Sequence, residues 1–482
     1  MLGNLLKKYK TMNKQIKVVF WFSIVGFLQR GISLITTPIF TRVLSTDEYG
    51  LFSVFNAWYT ILVIITTLAL NMGVINNAFI KKGNTKEKVV SSFQSLSMVI
   101  AVAFFIFAVI FRNHLSQIMN LPIIIVIFIF LGCIFYSPYH DWVAYKRYQF
   151  DYVRPVIAAV AISVLTPLVS LIAIYCTDTM KGEARVISYV LVNTIFPGLF
   201  FYIVNYKKDK TFCDKSLWIY ALSFNVPLIA HYMSETLLNQ TDRIMINMFC
   251  GKSEAGIYSV AFSAASIFTI FTTALNASFV PWTYQKLKVK DYKAIGRVGY
   301  LVLLILVGAL SVMIIFAPEI IRILAGEKYS GAVYLIPTLG ASVYFNYMYQ
   351  LYSRIELYYE KKAYTVTATI TAAVLNIVLN VWWIPKFGYL AAGYSTLIAH
   401  IVFCVMHYFF FSKVSKEYMN SVKVYDIRII AAISAGVLMI SFVMTYLYQY
   451  FILRIIILTF IVVTAVIYRN KLIGLVKLLR KQ

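Results

Sequence analysis

Acidic residues are scarce: 19 Asp and Glu stand against 44 Lys and Arg, and charge of either sign makes up only 13% of the chain. An ordinary soluble domain carries about twice that share of charge, so a water-exposed surface of normal composition is excluded. Cysteine is sparse and unpatterned. Cys133, Cys176, Cys213, Cys250 and Cys404 lie far apart, with no C-x-x-C or Cys/His spacing suited to zinc, and are expected as small apolar residues in helices. Long hydrophilic segments are missing too. No connection between apolar runs exceeds about 20 residues, too few to fold as a separate catalytic domain. Within the first six apolar runs no acid is expected at mid-depth, with Asp141 and Asp151 placed at the cytoplasmic ends.

What is present in abundance is apolar: 61% of 482 residues are hydrophobic and the mean hydropathy is +0.77. No globule has enough interior for that much apolar surface, so the chain is read as an all-α, polytopic membrane protein. Fourteen spans are expected, near 17–40, 50–72, 90–111, 121–143, 154–176, 186–205, 217–249, 254–281, 298–317, 332–357, 364–384, 388–411, 427–448 and 451–468. The net charge of +25 does not point to nucleic acid, because the basic residues recur in clusters in alternate connections. Examples are Lys81, Lys82, Lys86 and Lys88; Lys207, Lys208, Lys210 and Lys215; and Lys286, Lys288, Lys290 and Lys293. By the positive-inside rule these connections, and both termini, are cytoplasmic. The first run follows Lys7, Lys8, Lys10, Lys14 and Lys17, continues to Phe40 and lacks a small-x-small cleavage site. It is therefore expected to remain as a span and not to be removed as a signal peptide.

An internal repeat divides the spans. Glu48-Tyr49-Gly50-Leu51-Phe52-Ser53-Val54 returns six spans later as Glu254-Ala255-Gly256-Ile257-Tyr258-Ser259-Val260. Two six-helix lobes around a central cavity, 1–205 and 206–412, followed by two additional spans in 413–482, are the expected plan.

Polarity inside the spans singles out candidate residues, since charge there usually faces a cavity. Ser223 to Met248 places Asn225, Tyr232, Thr236, Asn239, Gln240, Arg243 and Asn247 within about 60° of one helical line. Glu235 and Asp242 share an edge of that stripe, with His231 one turn before Glu235; they could bind a proton or sodium ion, or only neutralise Arg243. Arg30 falls near 20 Å deep in the first span, on a face with Ser23, Gly26, Ser33, Thr37 and Thr41. An intramembrane arginine without a carboxylate in its own lobe suits an anion, most plausibly phosphate, and disfavours a cation exporter. Arg354 reads as an interfacial anchor, and Tyr344, Tyr347, Tyr349, Tyr352, Tyr358 and Tyr359 beside it could stack on sugar rings or mark a membrane interface.

Three motifs carry a resemblance. Pro38-Ile39-Phe40-Thr41-Arg42-Val43-Leu44-Ser45 with Glu48 to Phe52, Asp242-Arg243 with Glu254 to Ser259, and Gly388 to Thr396 (GYLAAGYST) resemble Wzx-type polysaccharide flippases of the multidrug/oligosaccharidyl-lipid/polysaccharide exporter superfamily. The resemblance implies a V-shaped, MATE-like fold and no enzyme activity. The implied cargo is an undecaprenyl-diphosphate-linked oligosaccharide, moved by alternating access from the inner to the outer leaflet of a bacterial plasma membrane. Arg30, Arg243, Asn239, Gln240 and Asn225 would bind that cargo, and Asp242, Glu235 and His231 would balance charge or couple an ion. Membrane lipids, a polysaccharide polymerase and a chain-length regulator are the implied partners. A drug or cation antiporter and a membrane-embedded polymerase remain as alternatives.

Overall fold

Long apolar runs without interior water partners satisfy their backbone polar groups within helices, and in the computed structural model helix accounts for every span. The structure describes residues 13–81 and 85–467. The lysines expected at the extreme N-terminus, Lys82 and the basic C-terminal residues lie outside them. The described helices are α1 (Lys14–Val43), α2 (Thr46–Thr67), α3 (Val74–Lys81), α4 (Lys86–Ile110), α5 (Arg112–Met119), α6 (Ile123–Tyr148), α7 (Val153–Tyr175), α8 (Lys181–Val190) and α9 (Phe196–Tyr206). They continue with α10 (Lys215–Phe249), α11 (Lys252–Lys288), α12 (Tyr292–Ile315), α13 (Ala317–Ala325), α14 (Ile336–Tyr358), α15 (Lys362–Phe387), α16 (Leu390–Tyr418), α17 (Ile427–Leu447) and α18 (Phe451–Ile467). Each expected span coincides with helix, and among the described residues 11 helices are long and apolar enough to cross a membrane. The other three expected spans are α10 and α14, which carry the polar positions, and α18, whose described part is 17 residues long.

By packing, the chain divides into Met1–Gly256 and Ile257–Gln482, with α10 in the first of these units. The reason lies in α10, which packs along α2 and also meets α3 and α4. Its Leu217 and Ala221 join Val74, Phe79 and Phe93 in one buried cluster, and its Ile244 joins Ala57 and Ile61 in another. Between membrane helices such contact is reinforced by polar bonds. Trp218 Nε1 donates to the Ser92 carbonyl at 2.9 Å, and Lys88 pairs with Asp214 at 2.8 Å.

The repeated motif has a local cause. Ser45 and Glu48 form a reciprocal capping box that starts α2, satisfying two orphan amides. Gly50, on the first turns of α2, lies directly against the start of α11: a Cβ there would sit 1.8 Å from the Lys252 carbonyl oxygen, and one on Gly256 would sit 3.1 Å from Gly50 N. Both copies thus need glycine because two backbones cross without space for a side chain. Ser253 Oγ bonds Thr46 Oγ1 at 2.8 Å beside that crossing.

In the second unit α14 packs most extensively on α16, and α16 on α15. Gly393, within the GYLAAGYST motif, brings α16 against α14: a Cβ there would lie 2.4 Å from Thr338 Oγ1. Tyr344, Tyr347 and Tyr352 are buried to within 1% of full burial, and they fill helix contacts where sequence reading offered them for sugar stacking. Arg354 is likewise no interfacial anchor. It is 5% exposed, donates to Asn276 Oδ1 and lies 4.7 Å over the Phe279 ring. Of the cysteines, only Cys133 and Cys404 are buried.

Candidate functional site

The expected polar stripe of α10 resolves into residues with different duties. Asn225 is fully buried, and its amide donates to the Leu68 carbonyl, where α2 ends in two left-handed residues, Leu68 (φ 53°) and Ala69 (φ 48°). Such residues cost about 1–2 kcal/mol each, and Asn225 supplies a partner to the carbonyl that the broken helix leaves open. Arg243 is 9% exposed, with Nη1 donating to the Asn239 carbonyl at 3.1 Å and to Gln240 Oε1 at 2.6 Å. Asn239 is exposed and donates to the Glu235 carbonyl at 2.8 Å. Asp242 is 2% exposed while Glu235 is exposed, so the two acids do not share one environment. His231 is half-buried, and its Nδ1 is buried with no hydrogen-bond partner.

The first unit also holds a cavity beside α1. A cavity of about 310 Å³ is bounded by α1, α2, α7 and α8 and by a π-helical turn, Leu191–Ile195, that joins α8 to α9. From α1 it takes Gln29, Ser33, Thr36 and Phe40; from α7, Ser163, Thr166 and Ser170; and beyond them Arg185, Tyr189 and Asn193. Arg30 is exposed on the adjoining face of α1: the lining positions are rotated about one residue, or 100°, from the face expected around it. Gln29 Nε2 donates to Ser163 Oγ at 3.1 Å across the space.

Arg185 is the cavity's buried cation, 6% exposed. Its guanidinium carbon lies 3.8 Å from the Phe52 ring centre, 4.0 Å from Phe40 and 5.0 Å from Tyr49. Three π faces pack against the charge. The π turn widens the helix by one residue, a feature often found at functional sites. It carries Asn193 into the lining, where its amide donates to Tyr189 OH at 3.2 Å. Thr36, Ser163 and Thr166 give their protons to carbonyls of their own helices, which leaves oxygen lone pairs as acceptors. Hydroxyls, amides, aromatic rings and one caged guanidinium suit saccharide hydroxyls or a phosphate. Sequence reading missed Arg185, which lies at the start of an apolar run and not within one. The π turn has no periodicity signal.

The first unit also holds a buried acid toward the C-terminal end of α6. Asp141 is 1% exposed, neither carboxylate oxygen has a hydrogen-bond partner, and α6 continues seven residues, about 10 Å, to Tyr148. A buried carboxylate is therefore present in the same unit as Arg30. In the second unit Asn376 Nδ2 donates to Thr396 Oγ1 at 3.3 Å, Asn380 Nδ2 donates to Asn376 Oδ1 at 3.3 Å and Ser395 donates to Asn380. Among the described residues no group of three or more His, Cys, Asp or Glu could hold a metal ion.

The sequence profile of a family described as "Polysaccharide biosynthesis protein" matches residues 16–287, and that of "MatE" matches residues 227–382. An uncharacterized membrane protein of Methanocaldococcus jannaschii is 22% identical over 438 residues, 84% of this chain and 86% of its own length. A Haloferax volcanii protein named "Probable low-salt glycan biosynthesis flippase" is 24% identical over 234 residues. That match covers 47% of this chain and 49% of that relative. Among solved structures, a lipid II flippase, MurJ, in an inward closed conformation has a TM-score of 0.67 at 17% identity, covering 93% of this chain and 99% of its own. An inward-facing multidrug resistance MATE family transporter has a TM-score of 0.62 at 12% identity, covering 84% and 99%. At these identities the structural likeness is one of fold: all-α and MATE-like.

Proposed function

Because the chain belongs to the polysaccharide biosynthesis protein family, whose members are multi-pass membrane transporters and not enzymes, we propose that it translocates a lipid-linked glycan across its membrane. The carrier is an undecaprenyl diphosphate, and the cargo is an oligosaccharide unit for O-antigen, capsule or exopolysaccharide. The movement runs from the inner to the outer leaflet of a bacterial plasma membrane, with both termini cytoplasmic. A polymerase and a chain-length regulator would take over the delivered unit. The observation that carries this reading is the hydroxyl- and amide-lined cavity with a caged arginine, because a glycan needs many neutral hydrogen bonds and a diphosphate needs fixed positive charge.

The headgroup enters a polar cavity while the lipid tail stays in the bilayer, and the lobes alternate their access. Arg30 is exposed for the diphosphate, and Arg185 offers a second cation beside the saccharide hydroxyls. Arg243, held by Asn239 and Gln240, and Asn225 contribute through the shape of α10. Asp242, Glu235 and His231 balance that charge or couple a proton or sodium gradient.

The test is flipping of a fluorescent undecaprenyl-diphosphate oligosaccharide by the purified protein in proteoliposomes. Arg30→Ala, inserted at normal levels, is expected to abolish it; full transport by that variant would sink the diphosphate reading. Rates indifferent to both proton and sodium gradients would remove the coupling role of Asp242. A drug or cation antiporter is the second reading, favoured by buried Asp141, and a drug-susceptibility screen with Asp141→Asn separates the two.

A further inference from the structure

The second unit contains an ionisable pair that the proposed cargo does not touch. Glu356, near the C-terminal end of α14, and His407, in α16, are both fully buried. His407 Nδ1 lies 3.0 Å from Glu356 Oε1 and 2.9 Å from Oε2, while His407 Nε2 has no hydrogen-bond partner. Among the described residues the two side chains hydrogen-bond only each other. Tyr349 stacks on the imidazole at 5.0 Å, and the rings of Phe403 and Phe410 close its sides at 4.9 and 6.3 Å.

Among the described residues no other charged side chain pairs with Glu356 or His407. On α14, Arg354 turns to Asn276 and the Phe279 ring, and Tyr352 packs on Tyr408, Phe411 and Tyr425. On α16, Cys404 is buried. From α15, Tyr364 stacks on Phe410 at 4.5 Å, and Tyr300 of α12 meets the Tyr425 ring and accepts from Asp426 N. At the ends of α15 and α16, Lys361 pairs with Glu417 at 3.0 Å. The proton count of the pair is consequently decided by Glu356 and His407 themselves.

With a neutral imidazole donating from Nδ1, the pair holds one buried negative charge, which costs several kcal/mol in a dry site. One more proton cancels that charge, and Nε2, or a protonated carboxyl, is where it resides. The sealed pair therefore holds the proton. Release needs water at Nε2, and water can arrive only if α14 and α16, whose contact is the most extensive in this unit, shift relative to each other.

We propose that Glu356 and His407 form a proton-binding site, loaded when the α14–α16 contact is sealed and discharged to water as hydronium when it opens, which couples a proton gradient to transport. This rests on the transporter reading above, and it places coupling on a different helix pair from Asp242.

In the proteoliposome assay, an imposed pH gradient is expected to speed flipping of the fluorescent undecaprenyl-diphosphate oligosaccharide about tenfold, within the usual range of coupling between sites. Glu356→Gln and His407→Asn should lose that stimulation, and Glu356→Asp should keep it. The double variant Glu356→Gln/His407→Asn removes the buried charge and serves if a single variant fails to fold. Gradient stimulation surviving in Glu356→Gln or in the double variant, or missing from the wild type, overturns the site. If the wild type moves no probe, the flippase reading fails, and infrared titration of the same vesicles decides the proton site alone. A carboxyl or imidazole band lost in Glu356→Gln supports it, and an unchanged spectrum overturns it.

Discussion

The polar face of α10 and the polar cavity beside α1 look alike as sequence and differ in what surrounds them. On α10, Asn225 bonds Leu68, Asn239 bonds its own helix and Arg243 is braced by Asn239 and Gln240. Beside α1, Gln29, Ser33 and Thr36 border about 310 Å³ of space together with Arg185 and Asn193. Polarity in a membrane helix marks a pathway where volume lies next to it; where a polar side chain is held by a backbone carbonyl or a neighbouring side chain, it serves as a structural bond.

Substitutions on the two faces can break this contrast. The largest effect expected is at Asn225. Asn225→Leu leaves the Leu68 carbonyl unpaired and should cost about 1–2 kcal/mol, read as a lower apparent Tm in detergent, with flipping per folded molecule unchanged. A variant with normal Tm and lost transport would reverse the assignment of the two faces. Next is Arg185→Lys, which keeps the charge but loses the planar stack within Phe40, Phe52 and Tyr49. Transport should fall about tenfold, equivalent to 1.4 kcal/mol, with little change in Tm, whereas a purely structural arginine would show the opposite split.

The smallest effect sharpens the structural side of α10. Asp214 caps that helix outside the span, and its carboxyl is held below the usual range first by the hydrogen bond from Lys88 and then by Leu217 N–H. A depressed folded-state pKa contributes stability above the unfolded value, about 3.9, and that contribution is lost as the pH falls through the folded-state value. Asp214→Asn should therefore lower the melting temperature slightly at neutral pH and leave the acid end unchanged, which flattens the acid limb of the profile; the effect is small because the pair is salt-screened and partly exposed. An acid limb identical to wild type would show that the cap contributes nothing.

Much of the fold was legible. Apolar runs of span length became helices because lipid leaves the backbone no other partner. Ser45 and Glu48, which sequence reading took only as motif residues, start α2 through a capping box. Of the cavity lining, the hydroxyl-rich character of α1 was legible from helical spacing, while the lining positions lie about one residue from the face drawn around Arg30. Asp141 was placed at a helix end, although α6 runs two further turns beyond it. Arg185 passed as a connection residue because no single-helix pattern shows three aromatic rings from α1 and α2 meeting it.

The sequence by itself determined the solvent, the helices, the repeat and the identity of the polar side chains, since hydropathy and 3.6-residue periodicity are properties of one segment. Only the tertiary structure decided which of those side chains have empty volume beside them, which are satisfied by a neighbouring backbone, and that α10 packs with the first unit. Those outcomes depend on how neighbouring helices fill space. A buried asparagine against an open carbonyl and one against a cavity carry the same letter in the sequence.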